Sequence, residues 1–295
     1  MNIYLEVDYY MKKKIGETIG IIRRNKGYSQ RYVSGNVITQ GAFSKLEKFN
    51  PEIGISTFEQ ILMKLEISYD ELKYIQNGYR YSYREEMINR LFGLTYNDKE
   101  VLKRLIEDAK EYLREQEDIL IEDLIRICES LILLSETTNI ESARVPLWEV
   151  WDRLSKRNLL YMSDIYFINS ILYLFPLETA LELRKFTFRS IDKYKNFQKV
   201  ERLKINITIN IMLLLMKEHR YEEALVEVEE AISLCKQHSD HLRLAICYIR
   251  KGICINHTGI NGEGWILKGK NILNAIEEFN LLNILEDEIN RHNNG

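Results

Sequence analysis

The chain has 295 residues, 41 Lys and Arg against 44 Asp and Glu, and a net charge of −3. That length is too great for one small core and predicts two domains. With 45% apolar residues, three Pro and fourteen Gly, a disordered or linker-rich chain is excluded. Long stretches rich in Leu, Ile, Glu and Lys, with almost no Gly-bounded alternating segments, predict an all-α protein.

The first element opens at Ile15, where Ile15, Ile19 and Ile22 fall on one helical stripe and Gly27 supplies a stop. Ser29 caps a short second helix carrying Val33 and Val37. In the next segment, Thr39 to Lys48, Phe43 and Leu46 turn inward while Gln40, Ala42, Ser44 and Lys45 stay free. That pair is a helix-turn-helix, whose second helix enters the major groove of double-stranded DNA by its N-terminal end. Met11 to Asn50 holds nine Lys or Arg against Glu17 and Glu47, a phosphate-binding footprint on an otherwise acidic chain. A solvated basic face is the plainer alternative. In the groove, Gln40 can pair bidentately with adenine, Lys45 can reach guanine and the Ala42 methyl can touch thymine. Thr39, Ser44 and Lys48 flank them, and Arg31 sits where phosphate contacts set register.

Arg23, Ser29-Gln30, Val33-Ser34 and Phe43-Ser44-Lys45-Leu46-Glu47 resemble the phage-repressor-like (XRE) helix-turn-helix pattern. With Ile53, Phe58, Ile61-Leu62, Leu65 and Ile67-Ser68 following, the chain is similar to the Rgg/GadR/MutR regulators of Gram-positive bacteria. The resemblance implies that Gln30 contacts phosphate and that Arg23 and Glu47 form an internal ion pair. It also implies a homodimer whose helical body senses a short hydrophobic signalling peptide, and a promoter with two half-sites. Two departures stand out: Phe49-Asn50-Pro51 replaces the usual Gly after the Glu-basic pair, and the turn before the third helix is one residue short.

Ser56 with Glu59 and Ser68 with Glu71 read as capping boxes opening helices four and five, the fifth running on through Tyr74, Ile75, Tyr79 and Tyr83. The expected organisation is a five-helix DNA-binding domain over 11–77, a junction over 78–86 whose aromatic residues pack between domains, and a body over 87–295. That body is expected to be right-handed and TPR-like. Its clearest repeat is Tyr221, Ala224, Val228 and Ala231; a second has Tyr248, Gly252 and Gly264, and a third centres on Ala180. Spacings of 44 and 40 residues between Ala180, Ala224 and Gly264 make the repeats degenerate.

Stacked helix pairs form a groove suited to a peptide, and side-chain amides satisfy backbone donors and acceptors alike. Asn169, Asn206 and Asn210, each on the first helix of a candidate repeat, are therefore the peptide-binding candidates, each with interhelical packing as its alternative. Tyr173, Tyr248, Arg250 and Lys251 join them, the cations as partners for a peptide carboxylate. A C-terminal stripe of Ile272, Leu273, Ile276, Phe279 and Leu282 within Asn271 to Ile289 is the expected dimer surface.

Cys128, Cys235, Cys247 and Cys254 contain no CxxC pair; the nearest metal candidate is Cys235 with His238 and His241, without a fourth ligand. Some relatives carry cysteine at a dimer contact, which makes a redox-sensing thiol the other reading. The sequence has no phosphate loop, metal-hydrolase motif or nucleophile elbow, so neither an enzyme nor a cofactor is expected. Met1 to Tyr10 has no signal-peptide core, and Ile205 to Met216, twelve residues with two Asn, is too short to span a bilayer. A cytoplasmic regulator without membrane contact follows, starting at Met1 or Met11. The rival readings are a constitutive DNA-binding regulator whose repeats hold a protein partner, and a helical scaffold that binds no DNA.

Overall fold

The computed structural model describes residues 13–94, 97–137, 139–194 and 200–293, and among them every regular element is helical. The alternative starts at Met1 and Met11 lie outside the described residues. The chain divides into two compact units between Asn89 and Arg90.

The first unit begins with α1 (Ile15–Asn25), α2 (Gln30–Ser34), α3 (Gln40–Phe49), α4 (Ile55–Leu65) and α5 (Tyr69–Gln76). Ile19, Ile22, Val33, Phe43, Leu46, Ile61, Leu62, Leu65 and Leu72 make one buried cluster, as the stripes on α1 and α3 predict. Ser29, Thr39 and Ser68 are N-caps, their hydroxyls accepting from the amides of Tyr32, Ala42 and Glu71.

Three sequence expectations are corrected here. Helix α2 ends at Ser34, because Gly35 turns the chain at φ 43°, so Val37 lies beyond it. Helix α4 starts at Ile55 behind Gly54, so Ser56 is not its cap; the Ser56 hydroxyl accepts from the Gln60 amide instead. Helix α5 does not reach Tyr79: Gly78 and Tyr79 both take positive φ, 71° and 63°, and a new helix, α6 (Tyr83–Gly93), follows.

Phe49-Asn50-Pro51 does the work of the missing Gly. Asn50 takes the left-handed cap position at φ 53°, a conformation Asn tolerates better than most residues. Gly16 lies close by, and a Cβ there would come within 1.9 Å of the Leu46 carbonyl oxygen.

The second unit continues with α7 (Lys99–Tyr112), α8 (Ile119–Thr137), α9 (Ile140–Arg144) and α10 (Trp148–Ser155). Then come α11 (Met162–Ile171) with α12 (Leu177–Ile191), α13 (Val200–Lys217) with α14 (Tyr221–Gln237), and α15 (His241–His257) with α16 (Glu263–Ala275); α17 (Phe279–Asn293) closes the chain. Ala180, Ala224, Val228 and Ala231 are fully buried on the second helices of these pairs, where the repeat pattern placed them. Gly264 is different: a Cβ there would meet nothing. The small contact residues of the last pair are Gly252, Gly262 and Gly269; a Cβ on Gly262 would lie 2.1 Å from the Gly252 oxygen, and one on Gly269 2.6 Å from the Ala245 oxygen.

The C-terminal apolar stripe is not continuous. Helix α16 ends at Ala275 and Glu277 turns at φ 60° before α17 begins. Leu273 is buried, whereas Ile276 and Phe279 are exposed.

Candidate functional sites

The first candidate surface belongs to α2 and α3. A bidentate ion pair fixes it: Arg23 Nε and Nη2 donate to the two Glu47 carboxylate oxygens at 2.6 and 3.2 Å, and Nη1 donates to the Tyr28 carbonyl at 2.6 Å. The expected internal pair between α1 and α3 is therefore present. Gln30 joins it, its Nε2 donating to Glu47 Oε2 at 2.7 Å, which ties α2 to α3. Gln30 thus has an internal partner alongside the phosphate role drawn from resemblance.

Outside this network, Gln40, Ala42, Lys45 and Lys48 are exposed on α3 and Arg31 is exposed on α2, and Ser44 is half-buried. Among the described residues, the polar side chains of Arg31, Gln40, Lys45 and Lys48 have no hydrogen-bonding or ion-pair partner. Thr39 spends its hydroxyl on the Ala42 amide at 3.1 Å. The result is one rigid helix presenting an uncommitted amide and two ammonium groups, beside a guanidinium, with the nearby carboxylate neutralised from inside.

The second candidate is a cavity of about 330 Å³ in the second unit. Its walls are the first helices of the three pairs, α11, α13 and α15, with Leu131 and Leu134 of α8 and Leu281, Ile284 and Leu285 of α17. Asn169, Asn206 and Asn210 all line it, as do Tyr173 and Arg250. The Asn210 Nδ2 donates to the Asn169 carbonyl oxygen at 3.0 Å, a crosslink between α13 and α11. The Asn169 side-chain oxygen is buried and, among the described residues, has no hydrogen-bond partner.

Arg243, not anticipated from the sequence, is a wall residue too. Its Nε donates to Asn206 Oδ1 and its Nη1 to Asp240 Oδ2 at 3.0 Å. Arg250 forms a buried bidentate pair with Glu288 of α17, at 2.8 and 3.0 Å. Burial opposes both charges of this pair, yet each partner holds the other ionised: Arg250 is pushed up and Glu288 down from their ordinary values. Burial likewise raises the Tyr173 hydroxyl.

Tyr248 and Lys251 line no part of this cavity. Arg243, Ile246 and Arg250 recur every three or four residues along one face of α15, and Tyr248 and Lys251 fall on another. There Tyr248 packs against Trp265 with ring centres 5.3 Å apart, and the Lys251 ammonium sits 3.8 Å from the Trp265 ring centre and pairs with Glu229.

The cysteines belong to packing. All four are buried and free, and burial pushes the Cys128 and Cys254 thiols up to about 12. Thiols of that kind are poor nucleophiles and poor metal ligands. Cys235 is buried while His238 and His241 are exposed, and among the described residues no cluster of three ligating side chains occurs. Nor is any helix of the described residues long and apolar enough to cross a membrane.

No protein-family model and no curated protein sequence matches the chain. Solved structures do. A candidate transcriptional regulator from Listeria monocytogenes EGD-e aligns over 96% of this chain and 99% of its own, at 17% identity and a TM-score of 0.75. The SHP pheromone receptor Rgg2 of Streptococcus dysgalactiae aligns over 94% and 99%, at 14% identity and a TM-score of 0.67. PlcR of Bacillus thuringiensis, solved in complex with the peptide PapR7 and DNA, aligns over 92% and 98%, at 16% identity and a TM-score of 0.66. Identities this low speak for architecture, and the architecture is shared along nearly the whole length. The chain has the fold of the regulators typified by PlcR and Rgg2, a helix-turn-helix domain followed by TPR-like helical repeats.

Proposed function

We propose that this protein is a quorum-sensing transcriptional regulator of the cytoplasm, which binds promoter DNA through α3 and is controlled by a short hydrophobic peptide held in its helical repeats. The observation that carries the reading is convergence: Asn169, Asn206 and Asn210, 41 residues apart in sequence at the extremes, meet on one cavity. An oxygen left buried without a partner there is costly unless something supplies the missing donor. A peptide backbone carries such donors.

The DNA-binding half rests on the free side chains of Arg31, Gln40, Lys45 and Lys48. Gln40 and Lys45 read base edges, with the Ala42 methyl and Ser44 beside them, while Gln30, Arg31, Thr39 and Lys48 position the backbone. The protein acts as a homodimer on two half-sites. Exposed Ile276 and Phe279 near the C-terminus are apolar residues a partner would cover.

The test is binding of the purified chain to its own upstream DNA, titrated with synthetic peptides from short reading frames beside the gene. Steeply salt-dependent DNA binding that a peptide alters supports the reading. DNA binding that no peptide alters transfers the repeats to a protein partner, and no DNA binding at low salt removes the regulator reading.

A further inference from the structure

A second cavity, of about 530 Å³, lies between α10 and α12 and shares no wall residue with the first. Its floor is Leu154 and Ile168, both buried. Helix α10 lends Trp151 and Ser155 to one wall, and α12 lends Leu183 and Phe186 to the other. Trp148, Trp151 and Ser155 fall at i, i+3 and i+7 on one face of α10. Trp148 is 72% exposed, and Val145, one turn before it, 73%. Two tryptophans on the lip of an apolar groove are the kind of anchor that carries interface energy.

The charges on the two walls differ. Helix α10 commits Glu149 to Arg126, Arg153 to Asp123 and Asp152 to Lys156, and none of these lines the cavity. On α12, Arg184 turns to α14 and pairs with Glu227 and Glu230 at 2.5 and 2.7 Å. Toward the cavity the same helix presents Glu178 and Glu182 from its N-terminal half and Arg189 near its C-terminal end. Glu178 meets Arg220 at 3.3 Å, with its side chain 81% exposed. Glu182 and Arg189 have no ion-pair partner among the described residues, and Arg189 rests over the Phe186 ring.

A helix antiparallel to α12 answers this pattern. Acidic residues favour the first turn of a helix and basic residues the last. Antiparallel placement therefore sets the newcomer's basic end against Glu178 and Glu182, and its acidic end against Arg189. Parallel placement would set like charge against like. Glu182 and Arg189 are about 10 Å apart along the axis, two turns, and an apolar stripe of that length would cover Leu183 and Phe186 between them. A second copy of this chain fits poorly, because a two-fold contact would bring two hollows together and fill neither.

We propose that the groove between α10 and α12 is a docking site for an amphipathic helix of a partner protein, laid antiparallel to α12 and anchored on Trp148 and Trp151. The site is separate from the cavity of the three asparagines and does not depend on the peptide reading.

The probes are two cross-linked helical peptides, about four turns long, with the same stripe of Leu. One has Glu in its first turn and Lys in its last; the other has these exchanged. Fluorescence anisotropy with the purified full chain reads binding at low and high salt. The first peptide is expected to bind about fivefold tighter than the second, with the difference shrinking at high salt. The preference should invert in the Glu182→Lys, Arg189→Glu variant, both positions being exposed. Trp148→Ala, a change at an exposed position, should weaken both peptides about tenfold. Equal binding of the two peptides, or a preference that survives the charge exchange, overturns the antiparallel assignment. Binding of neither overturns the docking site. Self-association of the chain that Trp148→Ala abolishes overturns it too, giving the face to a second copy.

Discussion

The Asn50 side-chain oxygen accepts a hydrogen bond from the Gly16 amide at 2.8 Å, so one residue ends α3 and caps the start of α1. Gly16 is the second residue of its helix, where the amide has no partner within the helix. The two roles of Asn50 separate by substitution. Asn50→Gly keeps the left-handed backbone and loses the bond, at about 0.5–1.5 kcal/mol. Asn50→Ala loses the bond and adds backbone strain of roughly 1–2 kcal/mol. Denaturant unfolding should rank the variants in that order, with faster hydrogen exchange at the Gly16 amide in both. The reverse ranking would remove the account of Phe49-Asn50-Pro51 as a substitute for Gly.

On α3, Lys45→Ala and Gln40→Ala should each weaken binding to the protein's own upstream DNA by about 1–3 kcal/mol and relax sequence preference. Arg31→Ala should weaken all DNA sequences alike and make the salt dependence shallower by about one ion. Binding curves at three or four salt concentrations discriminate these behaviours. An unchanged salt slope in Arg31→Ala would exclude it from phosphate contact.

In the cavity, Asn169→Leu removes an oxygen that is buried without a partner. The apo protein should therefore lose no stability and gain up to about 1 kcal/mol, whereas its peptide response should disappear. Thermal unfolding and peptide-dependent DNA binding, measured on the same sample, check both halves. A destabilised variant would mean that the oxygen has a structural task in the unliganded protein.

The Arg250–Glu288 pair should respond asymmetrically. Breaking it with Arg250→Met leaves a buried carboxylate and costs roughly 3–5 kcal/mol. Replacing both partners, Arg250→Met with Glu288→Leu, should recover most of that loss. A double-mutant cycle by denaturant unfolding gives the answer, and additive losses would show that the two side chains do not act as a unit.

Acid should loosen the C-terminal end. Burial lowers the His292 pKa below its ordinary 6.5, against the pull of Glu288 and with help from His257, Arg291 and His219. A depressed histidine contributes stability that is full above its unfolded value and lost as pH falls through its folded one. Glu288, also lowered, adds a loss at still lower pH. Unfolding temperature should decline as pH drops below about 6.5, more gently in His292→Gln. Identical profiles for the two proteins would exclude His292 as the titrating group.

Much of the architecture is legible in the sequence because apolar period and caps report it directly. Ile15, Ile19 and Ile22, then Phe43 and Leu46, mark α1 and α3, and the three asparagines stand out because polar amides in apolar helices need a reason. What fails has local causes. The Ser56 box misplaces a helix start because Gly54 already serves as the cap. A run of aromatic residues conceals the break after Gln76, since Tyr79 takes a left-handed conformation unusual for its type. Gly264 matches the repeat spacing, but tight packing falls at Gly262 and Gly269, which a degenerate pattern does not index. Tyr248 and Lys251 are near Arg250 in sequence and turned away from it on the helix. Arg243 could have been found, since it precedes Arg250 by seven residues on the same helix face.

The glycine contacts between α15 and α16 limit where motion can arise. With the Gly252, Gly262 and Gly269 backbones lying against the neighbouring helix, and the Tyr248 and Trp265 rings packed between the same two helices, sliding one past the other would drive backbone into backbone. A displacement of α15 at Arg243 or Ile246 should therefore carry α16 with it. The pair should move as one body, so that any rearrangement between repeats falls at its margins rather than within it.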